Sequence, residues 1–357
     1  MDETVLYRRQ DATAAPAARR GLAGPRAEKV VSLALQGGGA HGAFTWGVLD
    51  ALLEDGRLAV DAITGASAGA MNAVVMVQGW LEDGPDGARA ALATFWRRAS
   101  VDGYLSPTQR RLLRRMLGLW RAETLTTVIT HSLSPYQTNP LNINPLRHAI
   151  GRLVDFDRVR ACTDVEVYLS ATNVWTGAVE IFTREELTAD HLMASACLPQ
   201  MFQAVEIDGV PYWDGGYMGN PALFPLLYQS NTEDILLVQI NPMERRHTPR
   251  TARQIRNRLN EITFNSNLLR ELRAVAFVQQ LIEEGKLSAE DYKNVHLHRI
   301  DGAGLLDAHQ ASSRRKAEWD FFVQLRDAGR RAAGNWLAAH YSSVGERGTV
   351  DLRAVLR

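Results

Sequence analysis

Residues 30–44 read VVSLALQGGGAHGAF, and the order of features within this stretch decides the fold class. The continuous apolar run VVSLAL is typical of a strand that is buried in a parallel sheet. Three glycines follow the run, and after them a helical pattern extends to Leu53 with its apolar residues on one side. The stretch therefore predicts a buried strand, a tight glycine turn and an amphipathic helix, in that order.

A second unit of the same kind follows directly. The short apolar run at 60–64 leads to GASAG at 65–69 and then to a helix rich in small residues. Repeated strand–turn–helix units are typical of α/β proteins, in which helices pack on a parallel sheet. We therefore predict an α/β fold. Further strands are expected at 166–172, 178–183, 234–240 and 295–300, hairpin turns at 176–177 and 208–209, and helices at 88–121, from Asn144-Pro145, at 251–284 and at 311–339.

Composition along the chain indicates the domain organisation. Residues 1–28 are rich in alanine, arginine and proline and show no hydrophobic period, so we expect a mobile tail. The chain shows no internal repeat, and no convincing linker follows residue 30. We therefore expect residues 29–357 to form a single domain, with the last predicted helix as a C-terminal helical extension.

Overall composition excludes several classes of protein. The hydrophobic fraction of 46% excludes general disorder, and the formal net charge of zero argues against a nucleic-acid-binding protein. The two cysteines, Cys162 and Cys197, have neither the spacing of a zinc site nor that of a disulfide framework. No apolar run is long enough to span a bilayer, and the N-terminus lacks the apolar core of a signal peptide. A cytoplasmic location is the expectation.

The glycine turn allows two functional interpretations. Gly37, Gly39 and Gly42 fit G-x-G-x-x-G between a strand and a helix, which would suit a nicotinamide- or flavin-dependent oxidoreductase. A dinucleotide site also needs an acidic residue at the end of the second strand, but Asp61 lies near the start of that run. Alternatively, glycine N–H groups at the start of a helix can form an oxyanion hole. A tight turn without any ligand is the third alternative.

Ser67 is the candidate nucleophile. It is the central residue of G-x-S-x-G at 65–69, and its place between a strand and a helix would expose Oγ at the edge of the sheet. A serine hydroxyl needs a base, because it is a poor nucleophile at neutral pH. Asp214 is the candidate base, since it ends a predicted strand and is followed by two glycines; its alternative role is that of an ordinary loop aspartate. The histidines fit less well: His131, His148 and His191 lie in helical or polar stretches, and His296, His298, His309 and His340 do not lie in a glycine-flanked loop after a strand.

These motifs, taken together, resemble those of the patatin-like phospholipase family. The resemblance covers about residues 31–240, roughly two-thirds of the chain, and three motifs in order are far more specific than any one of them. The matching segments are GGGAHG at 37–42, GASAG at 65–69 and DGG at 214–216, with Ala194-Ser195-Ala196, Pro199 and Asn220-Pro221 beside the last motif.

The resemblance implies a three-layer α/β/α sandwich with a mostly parallel central sheet. It implies a Ser67–Asp214 dyad without histidine, an oxyanion hole at Gly37, Gly38 and Gly39, and no metal or organic cofactor. The implied activity is hydrolysis of carboxylic esters of lipid acyl chains, of the phospholipase A, lysophospholipase or lipase type, through an acyl-Ser67 intermediate. One departure is His41, where the family commonly has arginine or lysine, so a contact from a fixed cation is not implied here.

Alternatives to this function come from three classes. An acyltransferase or a polyester or thioester hydrolase could use the same dyad. An oxidoreductase is favoured only by the glycine turn, and a non-catalytic lipid-binding protein would keep the fold without the chemistry. The histidine at position 41 is also a possible base, although the turn that carries it already matches the oxyanion role.

A predicted helix at 110–121 combines arginines with an apolar face. Such a helix can lie at a membrane interface, with the alternative that its apolar face packs on the domain core. The expected partners are a lipid or other acyl-ester substrate and, through peripheral contact, the inner face of the membrane; nucleic acid is not expected. The residues are Arg110, Arg111, Arg114, Arg115 and Arg121, with Leu112, Leu113, Met116, Leu117 and Trp120.

Overall fold

The computed structural model describes residues 21–100, 134–246, 248–302 and 318–355, which form a single eight-stranded sheet with helices on both faces. Each strand coincides with an apolar or alternating run of the sequence, and the central strands are buried on both faces. The strands are β1 Lys29–Leu35, β2 Leu58–Gly65, β3 Glu166–Asn173, β4 Val179–Thr183, β5 Val205–Ile207, β6 Val210–Asp214, β7 Asp234–Gln239 and β8 His296–Asp301.

The sheet is mostly parallel, as the sequence predicted. Neighbouring strands pair in the order β5-β6-β3-β2-β1-β7-β8; β6 and β2 share one edge of β3, and β4 pairs with the other edge. The pairs β1–β2, β1–β7, β2–β3 and β7–β8 are parallel, whereas β3–β4, β3–β6 and β5–β6 are antiparallel. The two predicted hairpins, with turns at 176–177 and 208–209, are the pairs β3–β4 and β5–β6.

Helices connect the strands, and several of them begin or end close to the residues that the sequence predicted. Asn144 caps the helix predicted from Asn144-Pro145, because its side chain accepts the N–H of Leu146 at 3.0 Å. The helix expected at 88–121 begins earlier, at Ala68, and breaks at Asp83–Gly84. The helices are α1 Gly42–Asp55, α2 Ala68–Ala99, α3 Pro135–Thr138, α4 Pro145–Gly151, α5 Phe156–Ala161, α6 Ala189–Ser195, α7 Phe224–Gln229, α8 Ala252–Glu283, α9 Trp319–His340 and α10 Leu352–Val355.

Three of the sequence predictions fall on residues outside the described ranges. They are the arginine-rich helix at 110–121, the start of the helix predicted from residue 311, and the candidate histidines His131 and His309. Within the described ranges, no helix combines the length and the hydropathy needed to cross a bilayer.

Two hydrophobic cores, one on each face of the sheet, make the molecule a three-layer α/β/α sandwich. In β1, Leu33 and Leu35 face the core that α1, α2 and α9 cover, while Ala34 faces the core that α7, α8 and α10 cover. Alternate residues of a strand point to opposite faces, so a strand covered by helices on both sides is expected to be mainly apolar. The predicted fold class is confirmed.

The last residues of the predicted tail pack on the domain. Leu22 is 2% exposed and exchanges backbone hydrogen bonds of 2.7 and 3.2 Å with Val60 of β2. Burial of a leucine side chain stabilises by roughly 1.5–3 kcal/mol, which holds this segment against the sheet. The expectation of a tail up to residue 28 is therefore wrong around Leu22, and residues 1–20 lie outside the described ranges.

The C-terminal helix α9 belongs to the same core as the first two helices. The Trp319 ring lies 5.9 Å from the Trp46 ring of α1, and the Phe322 ring meets the Trp96 ring of α2 edge-on at 5.0 Å. Aromatic pairs in this geometry add packing energy beyond the area that they bury. The C-terminal helical extension is thus an integral part of one layer of the sandwich.

Asp234, at the start of β7, joins the sheet to the C-terminal segment. Its Oδ1 lies 2.8 Å from His298 Nε2 and accepts the Gly345 N–H at 2.9 Å, and its Oδ2 lies 3.5 Å from His296 Nδ1. Burial by itself raises the pKa of Asp234, but these interactions outweigh burial and hold that pKa well below its usual range. The same carboxylate raises the pKa of His296.

We expect Asp234→Asn to lower the free energy of unfolding by about 2–3 kcal/mol, because a buried imidazole loses its charged partner. The depressed pKa of Asp234 stabilises the fold above about pH 4, and the raised pKa of His296 stabilises it below about pH 6.5. The difference between wild type and variant should therefore be largest between these values and shrink on both sides. Urea unfolding across this range measures it, with the exposed Asp291→Asn as control. A pH-independent difference would contradict the assignment.

Candidate active site

Ser67 occupies a strained turn between β2 and α2. Its backbone has φ 52° and ψ −119°, outside the regions that non-glycine residues usually adopt, and it precedes the first residue of α2. A strained strand-to-helix turn of this kind presents the hydroxyl of its central serine at the end of the sheet. Ser67 is 7% exposed, so the rest of the site must approach it closely.

Two glycines make this turn possible by close approach. A Cβ atom at Gly69 would lie 2.1 Å from the carbonyl oxygen of Leu35, so α2 starts directly against the end of β1. A Cβ atom at Gly37 would lie 2.8 Å from the Cβ of Ser67. Because real Cβ atoms do not approach other atoms this closely, glycine is required at both positions. The glycine turn after β1 and the candidate nucleophile are therefore in direct contact.

Strand β6 brings Asp214 to the end of β2. On one edge of β3, Leu169 pairs with Gly65, the last residue of β2, and Ala171 pairs with Asp214, the last residue of β6; β4 occupies the other edge. Strands β2 and β6 therefore lie end to end on β3. Gly65 and Asp214 therefore pair with positions of β3 that are two residues apart, a distance of about 7 Å along the strand. Asp214 consequently lies beside the turn that carries Ser67.

The last residue of α6 and the two residues after it, Ser195 to Cys197, contact both candidate groups, and we call them the α6 link. The N–H of Ser67 donates to the carbonyl oxygen of Ser195 at 3.1 Å and to its Oγ at 3.0 Å. The N–H of Asp214 donates to the carbonyl oxygen of Cys197 at 2.8 Å. A single short segment thus fixes the backbones of two residues that lie far apart in the sequence.

The Asp214 carboxylate is fully buried and oriented by its own turn. Its Oδ1 accepts the N–H of Gly216 at 2.7 Å, and its backbone carbonyl accepts the Thr172 hydroxyl at 2.8 Å. Burial, and then the charge of Asp214, raise the pKa of the Cys197 thiol to about 12. Cys197 therefore stays protonated beside the carboxylate and is not a competing nucleophile.

The glycine turn offers fewer N–H groups than the sequence predicted. The N–H of Gly37 donates to Asn220 Oδ1 at 2.6 Å, so it is already engaged. Within the described ranges, the N–H groups of Gly38 and Gly39 have no protein acceptor. The prediction that Gly37 is an oxyanion donor is therefore corrected, and Gly38 and Gly39 are the remaining candidates of the three.

Four buried amide side chains hold the glycine turn from below, and we call them the amide cluster. Gln36 Oε1 accepts the N–H groups of Ile240 and Asn241 at 2.9 Å each, and Gln36 Nε2 donates to Asn265 Oδ1 and to the Asn220 carbonyl at 3.2 Å. Asn241 Nδ2 donates to the Gly37 carbonyl at 2.7 Å. Satisfied buried networks of this kind fix a single backbone conformation. The cluster consists of Gln36, Asn220, Asn241 and Asn265.

We expect Asn220→Ala to lower kcat/KM about tenfold or more, because the Gly37 N–H loses its acceptor and the turn beside Ser67 shifts. Asn265→Ala is the matched control, since Asn265 contacts Gln36 but not Gly37. Both variants lose buried hydrogen bonds, and each should cost about 1–3 kcal/mol of stability. Steady-state kinetics and thermal unfolding of both proteins measure the difference. Equal losses of activity in the two variants would contradict a specific role of Asn220.

The described histidines lie mainly away from the serine turn. His296 and His298 bind Asp234 at the start of β7, at the opposite end of the strands. His191 lies on α6, where its Nδ1 is 2.8 Å from the Thr188 hydroxyl. His41 is buried in the 3-10 turn Gly39–His41, with its ring 6.4 Å from that of Phe321 on α9.

Asp61, the acidic residue considered for a dinucleotide site, has a structural role. Its Oδ1 accepts the Ser32 hydroxyl at 2.7 Å, and its Oδ2 accepts the N–H of Asn231 at 2.8 Å. Both contacts lie away from the carboxyl ends of β1 and β2, and so away from the glycine turn that follows β1. Within the described ranges, no group of three or more histidine, cysteine, aspartate or glutamate residues could hold a metal ion.

A family model described as patatin-like phospholipase matches residues 33–227, more than half of the chain. The chain belongs to this family. The matched range begins in β1 and contains the glycine turn, Ser67, Asp214 and Asn220, whereas Asn241 and Asn265 of the amide cluster lie beyond its end. The resemblance that the three motifs predicted is confirmed.

Matches to individual proteins are more distant. No curated protein matches the chain significantly. Among solved structures, the chain is similar to VipD from Legionella pneumophila, with 15% identity, a TM-score of 0.36, and coverage of 89% of this chain and 72% of that one. It is also similar to the heterodimeric complex ExoU–SpcU from the type III secretion system of Pseudomonas aeruginosa, with 16% identity, a TM-score of 0.34, and coverage of 90% and 56%.

The structure adds residues to the patatin-like site that sequence motifs did not single out. Gln36 directly precedes the glycines and Asn241 follows β7 by two residues, so both lie at carboxyl ends of neighbouring parallel strands. Polar side chains at that edge of a parallel sheet are the signal that could have found them. Asn265 lies inside a long helix, where the sequence carries no comparable signal.

Proposed function

We propose that the chain is a serine hydrolase of lipid carboxylic esters, with Ser67 as nucleophile, Asp214 as base, and the N–H groups of Gly38 and Gly39 as oxyanion donors. The observation that carries the proposal is the end-to-end arrangement of β2 and β6 on β3, which supports an acid–nucleophile pair. Membership of the patatin-like phospholipase family supports a lipid acyl ester as substrate.

The proposed reaction has two half-reactions. Ser67 Oγ attacks the ester carbonyl carbon, its proton passes to the Asp214 carboxylate, and the carbonyl electrons move to the oxygen that Gly38 and Gly39 bind. When the tetrahedral intermediate collapses, the bond to the alcohol breaks, and the alcohol leaves with the proton from Asp214. Water then attacks the acyl-Ser67 ester, gives a proton to Asp214, and releases the fatty acid as Ser67 regains its proton.

Two features of the site support this assignment of roles. A carboxylate that is fully buried and held by the Gly216 N–H cannot turn toward bulk water, which favours proton transfer within the site. The Gly38 and Gly39 N–H groups lie at the start of the 3-10 turn that leads into α1, where aligned peptide dipoles favour negative charge on a bound oxygen. The same arrangement without these donors would leave a developing oxyanion unstabilised.

The test is release of fatty acid from a panel of acyl esters. We expect the purified protein to release fatty acid from diacyl phospholipids or lysophospholipids labelled in one acyl chain, and to hydrolyse p-nitrophenyl esters. Quantifying both products, the fatty acid and the alcohol or lysolipid, distinguishes hydrolysis from transfer to a second alcohol. A folded protein that releases no acid from any ester on the panel would contradict the proposal and favour a lipid-binding role.

A further inference from the structure

Helix α8 separates the candidate site from a part of the surface. Its Phe264 ring packs on Gly216 so closely that a side chain at that position would overlap it, and Asn267 Nδ2 donates to the Tyr217 carbonyl at 3.2 Å. Asn265, on the same turn, belongs to the amide cluster. The inner face of α8 therefore contacts the turn that follows Asp214 as well as the support of the glycine turn.

The opposite side of the same stretch of α8 is apolar and exposed. Ile255, Leu259 and Ile262 are 44%, 56% and 51% exposed, and we call them the outer stripe. Their spacing of four and three residues places them in one row along the helix. Single exposed apolar residues are ordinary, but a row of three on one helix marks an interaction surface. Ile262 lies across the helix from Phe264, about one helix diameter, roughly 10 Å, from the contact with Gly216, and Leu259 and Ile255 lie farther along the helix.

The segment that carries the outer stripe is strongly basic, although the chain as a whole has no net charge. Residues 244–263 contain six arginines and two glutamates. Glu261 is buried and binds Arg245 and Arg258, and Glu244 binds Arg246, so both acidic groups are neutralised within the segment. The remaining positive charge favours an anionic partner.

We propose that the outer stripe and its surrounding arginines dock the enzyme on a bilayer that contains anionic lipid. Aliphatic side chains in a row can enter the boundary of the acyl chains, while flanking arginines meet anionic headgroups. Docking through this face would place the wall of the site next to the bilayer surface. The inference rests on the proposed function in one respect, since a lipid substrate is the reason for the enzyme to bind there.

Vesicle co-sedimentation tests the docking surface. The full-length protein is mixed with phosphatidylcholine vesicles, with and without phosphatidylglycerol. We expect binding that needs phosphatidylglycerol and weakens in higher salt, because screening reduces attraction between exposed charges. Changing Ile255, Leu259 and Ile262 together to Gln should weaken this binding about tenfold or more. Arg250→Gln combined with Arg256→Gln, which changes two exposed arginines of this segment, should weaken it too and should reduce its dependence on salt.

The matched control is Phe277→Gln, which removes an exposed aromatic side chain of the same helix outside the outer stripe. It should bind vesicles like the wild type. Hydrolysis of a short p-nitrophenyl ester in solution separates the two proposals: the triple variant should retain it, and its absence in the wild type would contradict the proposed function alone. Equal vesicle binding by wild type and triple variant would overturn the docking surface. Self-association that the triple variant loses, without vesicle binding by the wild type, would assign the stripe to a second copy of the chain and also overturn it.

Discussion

Replacing Ser67 by alanine is expected to lower turnover of acyl esters by about a thousandfold or more. The substitution keeps the Cβ atom and the two hydrogen bonds of the Ser67 N–H to Ser195, so the turn should persist while the attacking oxygen is lost. A fluorophosphonate probe should label the wild type once, at Ser67, and should not label the variant. Turnover of a p-nitrophenyl ester and mass spectrometry of the labelled protein measure the two effects.

Ser195→Ala is the matched control for this experiment. It removes a neighbouring hydroxyl that accepts the Ser67 N–H, but the Ser195 carbonyl still accepts the same donor. We expect labelling to persist and activity to fall by less than about tenfold, the cost of one hydrogen bond in the support of the turn. Full activity of Ser67→Ala would exclude the mechanism through acyl-Ser67. Loss of labelling in Ser195→Ala, with labelling retained in Ser67→Ala, would identify Ser195 as the nucleophile instead.

Asp214→Asn should reduce turnover by about a thousandfold as well, since an amide has nearly the same shape but cannot accept the serine proton. The asparagine oxygen can still accept the Gly216 N–H, and the backbone bond to Cys197 is unchanged. The loss should therefore appear in kcat, while circular dichroism and the temperature of unfolding stay close to those of the wild type.

Two comparisons make this result specific. Asp208→Asn changes an exposed aspartate in the turn of the same hairpin, where asparagine tolerates the positive φ of 51°, and it should leave activity unchanged. His41→Gln tests the other candidate base near the glycine turn. If His41→Gln were as damaging as expected for Asp214→Asn, and Asp214→Asn were mild, the base would be the histidine.

Local sequence was sufficient to predict an α/β fold, and its three layers were implied by the family resemblance. Strands β1 and β7 are mainly apolar because helices cover both of their faces, and the turns at 176–177 and 208–209 carry glycine where the chain reverses. What the sequence did not show is that β6 would enter the sheet against the direction of β2 and meet its end. That arrangement depends on pairing across β3 between segments about 150 residues apart, and no local period records it.

The prediction for Gly37 shows the same limit within the site. A glycine that exposes its N–H after a buried strand is chemically suited to bind an oxyanion, and the motif does not distinguish it from its two neighbours. The distinction comes from Asn220, which lies 183 residues later in the sequence and accepts a hydrogen bond from the Gly37 N–H. Similarly, Leu22 lies in a polar segment without a period, and only its contact with Val60 shows that it is held.

The α6 link has a consequence for how this enzyme can be adapted. Ser67 and Asp214 are both tied to it through main-chain N–H groups, so a rigid displacement of α6 carries the two groups together and preserves their alignment. Mutations that let Ser195 move relative to Cys197 would instead disturb the alignment without touching either group. In directed evolution for work at other temperatures, we therefore expect beneficial substitutions to accumulate on the buried face of α6, at residues such as Leu192 and Met193.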